Sequence, residues 1–273
     1  MSGDHWRLLI SGTADGATNM AVDHAIMEAV AEGRVPSTLR FYAWQPACLS
    51  LGYTQPAADV DLPRLAGNRW DVVRRLTGGR AILHTDELTY SVATKAAHPL
   101  VAGDIVESYR RLSQALLEGL RIIGATAQAD KRSDGSAHTS GPVCFEVPSH
   151  YEITVDGKKL LGSAQVRRFG AVLQHGALPL SGDIARICDA LFFETEQERE
   201  LVRRRVRGRA TTAADILGQT VSWENAVEAM IGGFERVFNL SFETTHSLTT
   251  EEQARADDLY TEQYTAESWI RRF

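Results

Sequence analysis

The sequence predicts an α+β protein with mixed or antiparallel sheets flanked by helices. Three observations carry that expectation. Short stretches with strand character recur from Trp6 to Leu180. Within them, Val106 to Ile123 places Leu112, Leu116, Leu120 and Ile123 on one side of a long amphipathic helix. From Asp183 onward helical spacing takes over, and strands gathered first with helices later is the α+β order.

Along the chain, Trp6 to Ile10 and Thr38 to Trp44 read as strands. Between them Val22, Ala25, Ile26, Ala29 and Val30 give Met20 to Val30 a helical spacing, with Asn19 as its cap. Cys48 sits in an apolar strand pattern, and further strands follow near Asp71 to Arg75, Ala81 to His84 and Leu88 to Ala93. The long helix comes next, then a polar, glycine-containing stretch from Gln128 to Pro142 that reads as a mobile loop. Tyr151 to Val155, Lys158 to Leu161, Ala164 to Arg168 and Val172 to Leu180 form a run of strands. Asp156-Gly157 supplies a hairpin turn in it, and Gly162 to Gln165 a second turn. Cys188 lies on the apolar side of a helix with Ile184, Ile187 and Leu191.

A chain of 273 residues can bury a substantial core. The expectation is one domain over 1–273 whose C-terminal part, about 183–273, is helical. No apolar run approaches the roughly 18 to 20 residues that span a bilayer. Met1 to Trp6 lacks a basic-then-apolar signal pattern, so a cytoplasmic protein without membrane association is expected. Three cysteines, an odd number without framework spacing, suit a reducing compartment. The formal charge is −6, and the strongest basic cluster is Arg203, Arg204, Arg205, Arg207 and Arg209. That footprint is too narrow for nucleic acid. It reads as solvated helix surface or as a docking patch for an acidic carrier protein. His84, His150 and His175 follow no metal-ligand spacing, so no metal and no cofactor are expected.

The chemistry concentrates in Gly141 to Gln165, GPVCFEVPSHYEITVDGKKLLGSAQ. Pro142, Pro148 and Ser149 break regular structure around Cys144, and Lys159 follows fifteen positions later. A thiol attacks as thiolate, and a nearby ammonium favours that form. Cys144 as nucleophile and Lys159 as its activator are therefore the leading pair. The bland alternative is a buried, inert cysteine. Gly78 and Gly79 free backbone amides for a tight turn or for close approach to a ligand. His84, His150 and His175 are the candidate bases, each equally readable as a hydrogen-bonded structural residue.

Four blocks carry a wider likeness: NMAVDHAIMEA from Asn19, LRFYAWQPACLSLGYTQ from Leu39, RRLTGGRAILHTDELTYSV from Arg74, and Cys144 to Leu180, ending LQHGALPL. Together they resemble the biotin/lipoate protein ligase family, and PVCFEVPS resembles its cysteine-dependent octanoyltransferases. Arg80 stands where many members carry a third glycine, and Thr85 where an aspartate is common.

The resemblance implies a ligase-type catalytic domain without an accessory ligase domain. It implies that octanoyl passes from acyl carrier protein to Cys144 and then to a lysine of the glycine cleavage H protein or another lipoyl domain. It further implies an acyl pocket walled by the arginine-glycine block, with Arg74 and Arg75 facing the substrate end and Gly78, Gly79 and His84 beside them. Gly162, Ser163, Ala164, His175 and Gly176 are the other implied substrate contacts. Burying six methylenes at about 0.8 kcal/mol each gives roughly 5 kcal/mol of gross binding energy. An ATP-dependent lipoate ligase, an amidotransferase from H protein to other lipoyl domains, and a non-catalytic lipoyl-domain binder remain open alternatives.

Overall fold

In the computed structural model, which describes residues 4–130 and 152–273, two sheets carry the chain. The first half runs β1 (His5–Ala14), α1 (Gly16–Glu32), β2 (Thr38–Trp44), β3 (Cys48–Leu51), α2 (Leu62–Asn68), β4 (Asp71–Arg74), β5 (Ile82–His84), β6 (Glu87–Lys95) and α3 (Ile105–Ile122). Then come β7 (Gln128–Asp130), β8 (Glu152–Val155), β9 (Lys158–Arg168), β10 (Ala171–Pro179) and a 3₁₀ turn at Ile184–Asp189. The remainder is α4 (Glu196–Arg209), α5 (Ala213–Leu217), α6 (Trp223–Phe238), β11 (Ser241–Thr245), α7 (Thr250–Leu259) and α8 (Glu267–Ile270).

The large sheet has the order β11-β1-β2-β6-β10-β9-β8-β7, and the small one β4-β3-β5. In the large sheet β11 and β2 run parallel to β1, while the other pairs are antiparallel. The α+β class expected from the sequence is what the chain adopts. Among the described residues no helix is long and apolar enough to cross a membrane.

Period-2 alternation decides what each sheet face buries. Trp6 and Leu8 of β1 join Leu39 and Phe41 of β2 under α3 and α6, where Leu112, Leu116, Leu120, Met230 and Phe234 close the core. Leu9, Tyr42, Trp44 and Leu173 point the other way, under α1 and α7. Each such side chain, fully buried, contributes about 1.5–3 kcal/mol. A third core fills the space between the small sheet, the 3₁₀ turn and α4, and contains Cys188.

Several local expectations are corrected. Asn19 does not cap α1: the cap is Asp15, whose side chain accepts from Thr18 N. Asn19 is instead buried, donating to the carbonyls of Ala14 and Ala43 and accepting from Arg40. Gln128 to Asp130 is strand rather than loop, and 131–151 lie outside the described residues. The helical C-terminal part includes one strand, β11, at the sheet edge. Gly162 to Gln165 is not a turn, because β9 runs unbroken through it and pairs along β10.

One irregularity in β9 positions the site. Ile153 pairs with Leu161 and Thr154 with Lys159, so Leu160 is an extra residue, a β-bulge. The bulge lets Leu160 and Leu161 both enter the α3/α6 core. It also reverses the alternation, which puts Lys159 on the same face as Gly162 and Ala164. Without it, Lys159 would lie on the opposite face from those residues.

Candidate functional site

The α1 face of the large sheet, together with the loop before β5, forms a largely apolar cleft, the kind of concave site that takes a small ligand. Register explains its floor. Thr89 of β6 faces Ala177 of β10, which faces Gly162 of β9, and His175 faces Ala164. Met20 of α1, Trp44 of β2 and Ile82 of β5 add apolar wall, and Arg80 adds a cationic one.

Lys159 enters this cleft with its side chain buried. Its Nζ donates to Glu152 Oε1 at 2.8 Å, with both side chains at least nine-tenths buried. Gly162 leaves the space that Lys159 occupies, since a Cβ there would sit 3.0 Å from Lys159 Cε. The lysine backbone is fixed as well, because Thr211 N donates to its carbonyl at 3.0 Å.

Behind the cleft runs a chain of buried polar groups. Asp23 of α1 accepts from Arg40 (2.7 Å), Ser91 (2.8 Å), Tyr42 (2.9 Å) and, at 3.4 Å, His175 Nδ1. Burial would raise the Asp23 pKa, but the Arg40 charge and the other donors outweigh it and hold the carboxyl below its ordinary value. Burial holds the His175 imidazole below its usual range despite Asp23, so it is neutral at pH 7. With Nδ1 turned to a carboxylate, its Nε2 accepts from the Thr77 hydroxyl at 2.7 Å.

Thr77 Oγ1 in turn accepts from Arg75 Nε at 3.1 Å. The Arg75 guanidinium also donates to the carbonyls of Ser50, Gly78 and Arg80 and to Ser50 Oγ, bracing the glycine loop from behind. Ser50 Oγ lies 2.8 Å from His84 Nε2, and His84 Nδ1 meets Glu87. Trp44 stacks on His84 with centroids 3.9 Å apart, and its Nε1 donates to Thr89 at 2.9 Å.

Of the residues proposed from sequence, the structure gathers Arg75, Gly79, His84, Lys159, Gly162, Ser163, Ala164, His175 and Gly176 around one cleft. Two are not there. Arg74 points away, donating to carbonyls of Gly52, Tyr53, Gln55, Trp269 and Ile270, so it ties the end of β3 to the C-terminal helix. The reason is strand alternation: neighbours on β4 and its extension cannot share a face. Gly78 contributes its carbonyl to Arg75 and does not line the cleft. Cys144 and His150 lie outside the described residues.

Cys48 and Cys188 are both buried. Burial pushes the Cys48 thiol well above its ordinary pKa, which suits a packing role. In the arginine cluster on α4, Arg203 pairs with Asp189, Arg204 with Glu200 and Arg207 with Asp183, so three of its charges are answered on the protein's own surface. The residues missed from sequence are Glu152, Asp23, Tyr42, Ser50 and Thr77. Glu152 alone carried a signal, an acid seven positions before the candidate lysine across a predicted hairpin.

An apolar cleft with a buried lysine, reached from an arginine-glycine loop, defines a class. Residues 15–235 match the lipoyl protein ligase A/B catalytic domain, and the chain belongs to that family. It is 41% identical over 276 residues to octanoyltransferase LipM of Exiguobacterium sp., covering 99% of each chain. With octanoyltransferase LipM of Moorella thermoacetica it shares 42% over 280 residues and 100% of both chains. Among solved structures, a bipartite lipoate protein ligase from Thermoplasma acidophilum superposes with a TM-score of 0.82 at 26% identity, covering 99% of this chain and 98% of that one. A lipoate-protein ligase A bound with ATP gives 0.80 at 27%, covering 99% of each.

Proposed function

We propose that the chain is an octanoyltransferase, moving octanoyl from acyl carrier protein to a lysine of the glycine cleavage H protein through a thioester on Cys144. The observation that supports this best is the buried Lys159 ammonium on the wall of a largely apolar cleft. Relatives aligned over their whole length carry the octanoyltransferase name. The protein works in the cytoplasm as a single catalytic unit over 1–273, with no cofactor.

The energetics fit a two-step transfer. Cys144 thiolate attacks the carrier thioester, a C–S bond forms as another breaks, and the carrier sulfur leaves as a thiol with the proton given up by the Lys159 ammonium. One thioester replaces another at little cost, so no ATP is consumed. The acceptor amine then attacks acyl-Cys144, a C–N bond forms, and Cys144 departs as thiolate. The amide is more stable than the thioester, which drives the step. The nitrogen's proton passes to the Lys159 amine left neutral by the first step, which restores the ammonium and the Cys144 thiolate. Splitting one encounter into two is the gain of covalent catalysis.

The test is intact-mass analysis after exposure to octanoyl carrier protein. One octanoyl adduct is expected on the parent and none on Cys144→Ala. An adduct at Cys48 or Cys188, or none at all on the parent, overturns the thioester route.

A further inference from the structure

Lys159 is held in place from several sides. The bulge at Leu160 aims it into the cleft, Thr211 fixes its carbonyl, and Gly162 leaves room under its side chain. None of these determines where the ammonium itself points. A four-carbon stem has several rotamers, and a buried ammonium needs acceptors and a counter-charge to stay where it is. Glu152 supplies both, at 2.8 Å and with both side chains at least nine-tenths buried.

The placement of Glu152 is itself set by the hairpin. Ile153 and Val155 of β8 enter the α3/α6 core, so Glu152 and Thr154 project to the opposite face. That is the face onto which the bulge turns Lys159, directly across from Thr154. Carboxylate and ammonium meet because β8 keeps its alternation while β9 breaks it.

We propose that Glu152 is the positioning residue for Lys159. It holds the side chain as an ammonium aimed at the reacting atoms, and acts on the transfer only through that lysine. This rests on the octanoyltransferase reading above for the identity of the reaction, not for the contact itself.

A double-mutant cycle tests it, with Glu152→Gln and Glu152→Ala each combined with Lys159→Met. Glu152→Gln keeps the shape and one acceptor, so it reports loss of the charge in a folded protein. kcat/KM is measured per folded molecule, below the melting temperature of the least stable variant. General acid–base groups contribute about 10²–10⁴-fold, so Lys159→Met is expected to lose at least about 100-fold. Glu152→Gln is expected to lose about tenfold or more on its own and nothing further when Lys159 is already methionine. Glu152→Asp should recover part of the loss.

Two groups that act as a unit give strongly non-additive effects, whereas independent ones multiply. Losses that multiply would overturn the proposal, as would a Glu152→Gln enzyme of parental activity. The cycle is run on whichever reaction the parent performs, ATP-free transfer from octanoyl carrier protein or ligation of octanoate with ATP. A parent that only ligates sinks the transferase reading and leaves the positioning result standing, while additive losses in an active transferase sink the positioning alone.

Discussion

Asp23→Asn should be among the most damaging conservative changes available in this protein. Asp23 and Arg40 are each about 1% exposed and pair at 2.7 Å. The other Asp23 contacts come from Ser91 on β6, Tyr42 on β2 and His175 on β10, so one carboxylate ties α1 to three central strands. Asparagine keeps one acceptor oxygen but turns an NH₂ toward groups that are themselves donors. Removing one partner of a buried ion pair costs about 3–5 kcal/mol. Each donor left without an acceptor adds about 1–3 kcal/mol. A loss of at least about 4 kcal/mol follows, a large share of the roughly 5–15 kcal/mol that holds a domain folded.

Urea unfolding followed by circular dichroism measures the loss directly, and in a thermal scan it should appear as a drop of about 8 °C or more. Replacing both charges, Asp23→Leu with Arg40→Met, should recover much of it, because no ion is then left unpaired. The pH dependence has a definite sign. The folded Asp23 carboxyl titrates below its ordinary value, so its contribution is complete above about pH 4 and fades as pH falls through the folded value. A Asp23→Asn protein within about 1 kcal/mol of the parent would refute this account of the network.

Three further outcomes are expected. His24 is held down to a pKa of about 4 by burial, so the unfolded chain takes up its proton first. Stability should fall by about 3 kcal/mol between pH 6.5 and 4, and His24→Gln should flatten that slope in urea titrations at the two pH values. Arg74→Gln should release the C-terminal helix from β3, seen as faster hydrogen exchange over 265–273, and unchanged exchange there would return Arg74 to the candidate site. Ala164→Leu places three more carbons in the cleft; at about 0.8 kcal/mol per methylene excluded, kcat/KM for octanoyl should fall about sixtyfold. Competition among butyryl, hexanoyl and octanoyl carriers should show the shorter chains favoured, and an unaltered preference would place the acyl chain elsewhere.

The parts of the fold open to sequence reasoning were those with a repeating pattern. The apolar stripe of α3, the strands β6 and β10, and Asp156-Gly157 at the β8–β9 turn all stand where expected; both turn residues have positive φ. Single-residue irregularities were not readable. The bulge at Leu160 leaves no mark in an apolar run, yet it decides which face Lys159 joins. Asp23 has the composition of a solvent-facing helix position, and only three other elements, brought together by the fold, make it a buried anchor. Arg74 is different: strand alternation alone forbids it from sharing a face with Arg75, so its misplacement was avoidable. Glu152 lay in view but had no assigned partner until the hairpin register was known.

The central claim is that acyl transfer here proceeds from one thioester to another without nucleotide activation. It is tested most directly by giving the protein apo H protein with either octanoyl carrier protein and no ATP, or free octanoate with ATP. Octanoyl-lysine on the H protein in the first mixture and none in the second is the predicted result. Modification only in the mixture containing ATP would contradict it and make the protein a ligase.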